Sequence, residues 1–188
     1  MINTEEKPFL QDIAELRRRT REQIEEGSLT PNYGGNAQET IALLQNALAT
    51  EAVCVLRYTM HSISATGIFS EGIKQEFQTH AREEQEHLLL LAERINQLGG
   101  KPDLNPESLT ARSASEYGNA DKLVDMIKEN LIAERIAVEH YRDLIRYFKD
   151  KDPTTRVMLE SILATEEEHA NDMRDLLVAH QGQPFIEN

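Results

Sequence analysis

The chain has 188 residues, 39% hydrophobic and 28% charged, which suits one soluble domain with a sizeable core and requires no second. Its formal charge of −13 weighs against nucleic acid as a partner, since DNA affinity comes largely from neutralising phosphates, and no apolar run approaches the roughly 20 residues of a membrane helix. Cys54 is the only cysteine, which excludes an intrachain disulfide and any cysteine-based metal cluster; with the polar stretch Met1 to Lys7 it points to a cytoplasmic chain.

Strand patterns are nearly absent, whereas helix-period patterns are long and repeated. Residues 9–26 read as a short amphipathic helix ended by Gly27 and 28–36 as a loop, so residues 1–36 form an N-terminal helical extension. Its basic run, Arg17-Arg18-Arg19-Thr20-Arg21, is surrounded by Glu15, Glu22, Glu25 and Glu26 and reads as a solvated helix face. Four long helices follow, at about 37–65, 70–98, 119–149 and 153–180. Asn36 is the expected cap of the first and Gly67 its stop. Ser70 caps the second, and Gly99-Gly100 before Pro102 ends it. Asp152-Pro153 opens the fourth, because proline loses nothing at a first helical position. Gly182 and Pro184 close it, leaving 181–188 as a short tail. The first and second helices are separated by a few residues, as are the third and fourth, so each pair is antiparallel. Residues 99–118, with two prolines, are long enough to cross the bundle. The expected fold is all-α: a four-helix bundle over 37–180 with one long crossover between the second and third helices.

Each long helix carries an apolar stripe at spacings of three and four, interrupted by polar residues near its middle. The stripes include Leu48, Glu51, Val55 and Tyr58; Phe77, His80, Glu84, His87 and Leu91; Leu131, Glu134, Val138 and Tyr141; Ile162, Glu166, His169 and Met173. Buried carboxylates are costly unless paired or bound to metal, so four of them need one explanation. The depths agree. Glu51 lies 16 residues before Gly67 and Glu84 17 after it; Glu134 lies 17 before Lys151 and Glu166 15 after it. At a rise of about 1.5 Å per residue all four stand at one level. Glu84 and His87, like Glu166 and His169, are three apart and share a face. A lone Glu-x-x-His is a weak signal; the set of one Glu, one Glu-x-x-His, one Glu and one Glu-x-x-His, each in a stripe, is the pattern of bundles that hold two iron or manganese ions. The expected metal ligands are therefore Glu51, Glu84, His87, Glu134, Glu166 and His169, a donor set suited to Fe(II) and also to Mn(II).

In LLQNALATEAVCVLRYTMH, HAREEQEHLLLLAERINQLGGKPDL, LIAERIAVEHY and ATEEEHANDM the chain resembles the ferritin-like superfamily, its bacterioferritin branch most closely, over about residues 37–180. That resemblance makes the six residues ferroxidase ligands, with Glu84 and Glu166 bridging two irons and Glu51 and Glu134 terminal. It implies a homo-oligomer, at least a dimer, that oxidises Fe(II) to Fe(III) with dioxygen or peroxide in iron storage or detoxification. The departures are specific. Gln85 stands where bacterioferritins carry a haem-ligating Met, so no haem is expected; His180 to Asn188 is too short for the fifth helix that helps build large shells; the first 36 residues have no bacterioferritin counterpart. Two other classes share the donor set: a peroxide-consuming enzyme of the manganese catalase or rubrerythrin-like kind, and an assembly protein like the DNA-protecting starvation proteins. Those last bind iron between subunits, and the complete set inside one bundle counts against them.

Other residues have narrower readings. Tyr58 is a redox-active or hydrogen-bonding neighbour of the site, or a core tyrosine with a satisfied hydroxyl. His80, with Glu76 and Glu83 near it, either guides or holds incoming iron or hydrogen-bonds to a ligand. His61, His140 and His180 read as surface or boundary residues, and Cys54 as a small core residue.

Overall fold

Among the residues described, 12–22, 24–67 and 70–181 of a computed structural model, the chain is helical and holds no strand. The helices are α1 (Ile13–Arg19), a 3-10 turn (Ile24–Glu26), α2 (Ala37–Ser64), α3 (Ser70–Gln97), α4 (Pro106–Arg112), α5 (Leu123–Phe148) and α6 (Pro153–Gln181). The four long ones lie where the stripes place them. α2 packs along α3 and α5 along α6, while α2 also meets α5 and α3 meets α6, which makes a four-cornered bundle of two hairpins.

Local chemistry sets the ends. Asn36 caps α2 by accepting the Glu39 N–H at 3.2 Å. Ser70 is the first residue of α3 rather than its cap, its N–H and hydroxyl both returning to the Gly67 carbonyl. Gly99, at φ +81°, takes the left-handed conformation that stops α3. Asp152 accepts the Thr155 N–H at 3.0 Å and the Thr155 hydroxyl at 2.6 Å, fixing the start of α6.

Three expectations change. The helix expected over 9–26 is cut to seven residues, about two turns, capped by Asp12, whose side chain accepts from Ala14 and Glu15; residues 9–11 lie outside the described ones. No residue of α1 is buried, so no packed face extends it, and the Thr20 hydroxyl turns back to the Leu16 carbonyl at its end. Its basic run is solvated as expected, Arg18 bonding Glu15 and Glu22. The crossover contains α4, which begins with Asn105 accepting the Glu107 N–H and Pro106 in the first turn, the same signal as Asp152-Pro153. It is tied to α2 by buried Leu109 and by Arg112 donating to the Gln45 carbonyl. α5 begins at Leu123, its first helical bond running from the Met126 N–H to the Lys122 carbonyl, and the Ala120 N–H ahead of it donates to the Glu129 carboxylate.

By length and mean hydropathy α2 also meets the description of a membrane span, which no run of apolar residues suggests; 56% of that window is buried inside the bundle, where it carries Glu51 and Arg57. The core is divided. One cluster holds Leu44, Leu48, Leu91, Ile95, Phe148, Leu159 and Ile162; the other holds Ile73, Phe77, Met126, Ile127 and Met173. Between them lies a polar layer.

Candidate metal centre

Four helices contribute to that layer: Glu51 from α2, Glu84 and His87 from α3, Glu134 from α5, Glu166 and His169 from α6. The four carboxylates are at most 1% exposed. Full burial of a Leu or Phe contributes roughly 1.5–3 kcal/mol. The penalty for one unpaired buried ion is several kcal/mol, so an uncompensated layer of four would outweigh several core residues.

Ligand atoms of Glu51, Glu84, His87 and Glu166 lie within 4.8 Å of one another, and so do those of Glu84, Glu134, Glu166 and His169. The two groups share Glu84 and Glu166. His87 Nδ1 stands 2.9 Å from Glu166, 3.3 Å from Glu84 and 3.5 Å from Glu51. His169 Nδ1 stands 3.6 Å from Glu84 and 3.9 Å from Glu134.

At Glu51, Glu134 and His169 an outer atom is tied and an inner one left free, while His87 Nδ1 bonds Glu84 Oε2 at 3.3 Å within the layer. The Tyr141 hydroxyl donates to Glu51 Oε1, leaving Glu51 Oε2 without a hydrogen bond. The Tyr58 hydroxyl donates to Glu134 Oε1, leaving Glu134 Oε2. His169 Nε2 bonds Glu83 at 2.9 Å, leaving Nδ1. Glu84 Oε1 and both oxygens of Glu166 are free too; His87 approaches Glu166 in distance but outside hydrogen-bond geometry. Six buried acceptor or ligand atoms in one layer thus lack partners, whereas buried polar groups are ordinarily satisfied. Metal ions fit this donor set of carboxylates and imidazoles, in which Glu51, Glu134 and His169 are oriented from behind by a second group.

Proton affinities are distorted accordingly. Burial, and then the charge of Glu84, hold Glu51 up at about 8. Burial and the charges of Glu84 and Glu51 push Glu166 well above the carboxylate range, and burial with Glu84 raises Glu134. Glu84 goes the other way: burial opposes its charge, but the imidazoles of His169 and His87 beside it hold it well below its ordinary value. Burial likewise works against a charged His169, yet the Glu84 carboxylate 3.6 Å away raises it to about 9. Strongly shifted groups gathered at one place mark a functional site.

All six expected ligands come together. Tyr58 sits at the layer with its hydroxyl satisfied by Glu134. Tyr141, expected only as a core residue, is its counterpart at Glu51. The signal for it is present in the spacing, since Tyr58 follows Glu51 by seven residues as Tyr141 follows Glu134, two helical turns on the same face. His80 is 1% exposed, stacked on His169 with ring centroids 4.0 Å apart. His61 is not a surface or boundary residue: it is fully buried, Nδ1 3.1 Å from Asn130 Nδ2 and Nε2 3.5 Å from Glu129. The same network holds Arg57, also fully buried, which donates to Asn130, to the Glu116 carbonyl and to Cys54 Sγ. Cys54 is a core residue as expected, its thiol pushed up by burial. His140 and His180 are half-buried, at the boundary, and Gln85 is exposed.

Comparison with known proteins agrees with this geometry. The ferritin-like domain profile matches residues 41–181. A DNA protection during starvation protein from Pyrococcus furiosus is 30% identical over 160 residues, 84% of this chain and 86% of its own. A nutrient stress-induced DNA-binding protein from Synechococcus is 30% identical over 130 residues, 68% of this chain and 74% of its own. Among solved structures, a dodecameric thioferritin, the bacterioferritin-related protein from Bacteroides fragilis, matches with a TM-score of 0.74 at 30% identity over 81% of this chain and 93% of that one. A ferritin-like, diiron-carboxylate protein from Bacillus anthracis matches with a TM-score of 0.67 at 25% identity over 79% and 99%. With its profile match running through all four long helices and the carboxylate layer between them, the chain belongs to the ferritin family.

Proposed function

We propose that the buried layer takes up two Fe(II) ions and oxidises them to Fe(III) with dioxygen or peroxide, in iron storage or detoxification. The observation that carries this reading is the pair of overlapping ligand groups that share Glu84 and Glu166 and whose inner atoms lack hydrogen bonds. The ions supply the redox chemistry: two Fe(II) give up two electrons, which with two protons reduce one peroxide to two waters or one dioxygen to peroxide. The side chains hold and neutralise. Glu84 and Glu166 span both positions; Glu51 with His87 completes one, Glu134 with His169 the other. Tyr141, Tyr58 and Glu83 fix the outer atoms, so the inner ones need little reorganisation on binding. Manganese suits the same donors, and a peroxide-consuming di-metal enzyme is the alternative.

Anaerobic loading with Fe(II) followed by stopped-flow mixing with dioxygen or peroxide distinguishes them. The expected result is a fast phase whose amplitude saturates at about two Fe(II) per chain. Rapid, substoichiometric disproportionation of peroxide by a manganese-loaded sample, without such a phase for iron, would reverse the order of the two readings.

Loading must displace protons from Glu51, Glu166 and His169, all held above their ordinary values in the metal-free layer. Each binds a metal in its deprotonated form, so affinity weakens as the pH falls through the raised values, roughly tenfold per pH unit for each proton displaced. Calorimetry of Mn(II) binding in buffers of different ionisation enthalpy is expected to show proton release at pH 7 and weaker binding at pH 6 than at pH 8. A pH-independent affinity over that range contradicts this.

The bacterioferritin-like branch is favoured by the complete donor set inside one bundle; identity does not separate the branches, being 30% both to a bacterioferritin-related protein and to a DNA protection during starvation protein. We further propose a homo-oligomer, consistent with the dodecamer named for that relative and with Leu56, Ile63, Leu89 and Leu90 exposed on α2 and α3. The DNA in the names of two relatives is not carried over, because a net charge of −13 repels phosphates. A cytoplasmic setting fits a single buried thiol.

A further inference from the structure

A second constellation of ligand atoms lies one turn outside the buried layer. His80 of α3 points Nε2 between two half-exposed carboxylates, 3.4 Å from Glu76 Oε1 and 3.5 Å from Asp172 Oδ2 of α6. The tautomer follows from its neighbours. Tyr58 has one hydroxyl proton, and that proton goes to Glu134. The 3.1 Å contact between Tyr58 and His80 Nδ1 is therefore an Nδ1–H donated to the tyrosine oxygen. A neutral His80 then carries a lone pair, not a proton, on Nε2. Three acceptors face one another with no hydrogen between them, and both distances are longer than a charge-assisted hydrogen bond. Among the described residues, neither carboxylate is paired with a lysine or arginine.

Atoms bound to one small divalent ion at about 2.1 Å stand roughly 3.0–3.4 Å apart. The two distances from His80 need only a slight contraction, and the carboxylate oxygens lie within 4.8 Å of each other. A buried imidazole fixed from behind by a hydroxyl, with two half-exposed carboxylates in front, is also the arrangement that orients a metal-binding histidine. We propose that His80, Glu76 and Asp172 form a third site for a divalent cation of the Fe(II), Mn(II) or Co(II) class, at the solvent-facing side of the pair. Ligand atoms of His80, Glu83 and His169 also lie within 4.8 Å of one another, so donors continue from this site to the buried layer. Its role as a way in to the pair rests on the proposed function; its occupancy does not.

Anaerobic titration of the full chain with Co(II), followed by calorimetry and visible absorption, tests both readings separately. Wild type is expected to bind three ions per chain, Glu76→Gln/Asp172→Asn two, and Glu84→Gln/Glu166→Gln one. The glutamine and asparagine variants keep shape and leave His80 in place, so a lost ion reports on the carboxylates. If wild type and Glu76→Gln/Asp172→Asn both bind two, the third site is overturned while the buried pair stands. If wild type binds one ion that only Glu76→Gln/Asp172→Asn loses, the third site stands and the buried pair does not.

Discussion

Glu84→Ala and His169→Ala are each expected to slow the fast oxidation of Fe(II) by at least about 100-fold, the upper end of what changes behind a ligand cost, while the bundle still folds. Glu84 belongs to both ligand groups and stands within reach of His87 and His169, so its loss removes one donor from each ion. His169 belongs to one group and is aimed by Glu83, so its loss empties one position and leaves the other. The fold should survive because the metal-free layer does not stabilise it: four glutamates crowd together in the interior with several oxygens unbonded. Removing Glu84 relieves repulsion on Glu51, Glu134 and Glu166, each of which it pushes up. It also takes the carboxylate from His87, bonded at 3.3 Å, and from His169, so metal-free Glu84→Ala is expected to melt somewhat below metal-free wild type while still folding. Thermal unfolding by circular dichroism beside stopped-flow kinetics reads both quantities. Unchanged kinetics in both variants would remove the site assignment.

Asp152→Ala should show the largest loss of stability, about 3–5 kcal/mol, because it strands a buried charge. Asp152 is 2% exposed and receives Arg94 Nη2 at 2.9 and 3.0 Å, both donors of Thr155, and the hydroxyl of Tyr33. One side chain thus joins α3, the start of α6 and the loop ahead of α2. Burial alone would raise its carboxyl, but Thr155, and after it Arg94 and Tyr33, hold it below the ordinary aspartate value. A depressed value means the contribution is present above the ordinary carboxylate range and lost as the pH falls through the depressed one. The deficit of Asp152→Ala, measured by urea denaturation, should be full at pH 7 and shrink in acid. Asp152→Leu with Arg94→Met should recover much of it, since no lone charge remains. A deficit below about 1 kcal/mol at pH 7, the size of an exposed ion pair, would mean that water reaches the pair.

What periodicity can reveal explains which features are legible in the sequence. Spacings of three and four show which side of a helix faces inward, and counting from a turn gives depth; together they suffice to place Glu51, Glu84, Glu134 and Glu166 at one level. They do not say what each inward group meets across the bundle. His61 sits three residues after Tyr58 and shares its face, yet its partner Asn130 lies on another helix, and a histidine at a helix end reads as surface until that partner is known. Arg57 is similar: arginines are seldom buried, and its Asn130 and Glu116 acceptors come from distant segments. The sequence overstates the length of α1 because an amphipathic pattern suggests a helix that persists, whereas a segment with no buried residue gains nothing from further turns. The start of α4 is written in Asn105-Pro106, but inside a segment whose length alone accounts for it as a connection.

The three ties that hold a ligand's outer atom run between the hairpins: Tyr58 of α2 to Glu134 of α5, Tyr141 of α5 to Glu51 of α2, and His169 of α6 to Glu83 of α3. Neither half can assemble a competent pocket alone, so ion uptake and hairpin docking are one coupled equilibrium. An ion held at a hundredfold excess over its dissociation constant would draw conformers toward the docked form by about 2.7 kcal/mol. A chain deprived of iron would be the softer molecule, its two halves breathing along the seam where the charges meet.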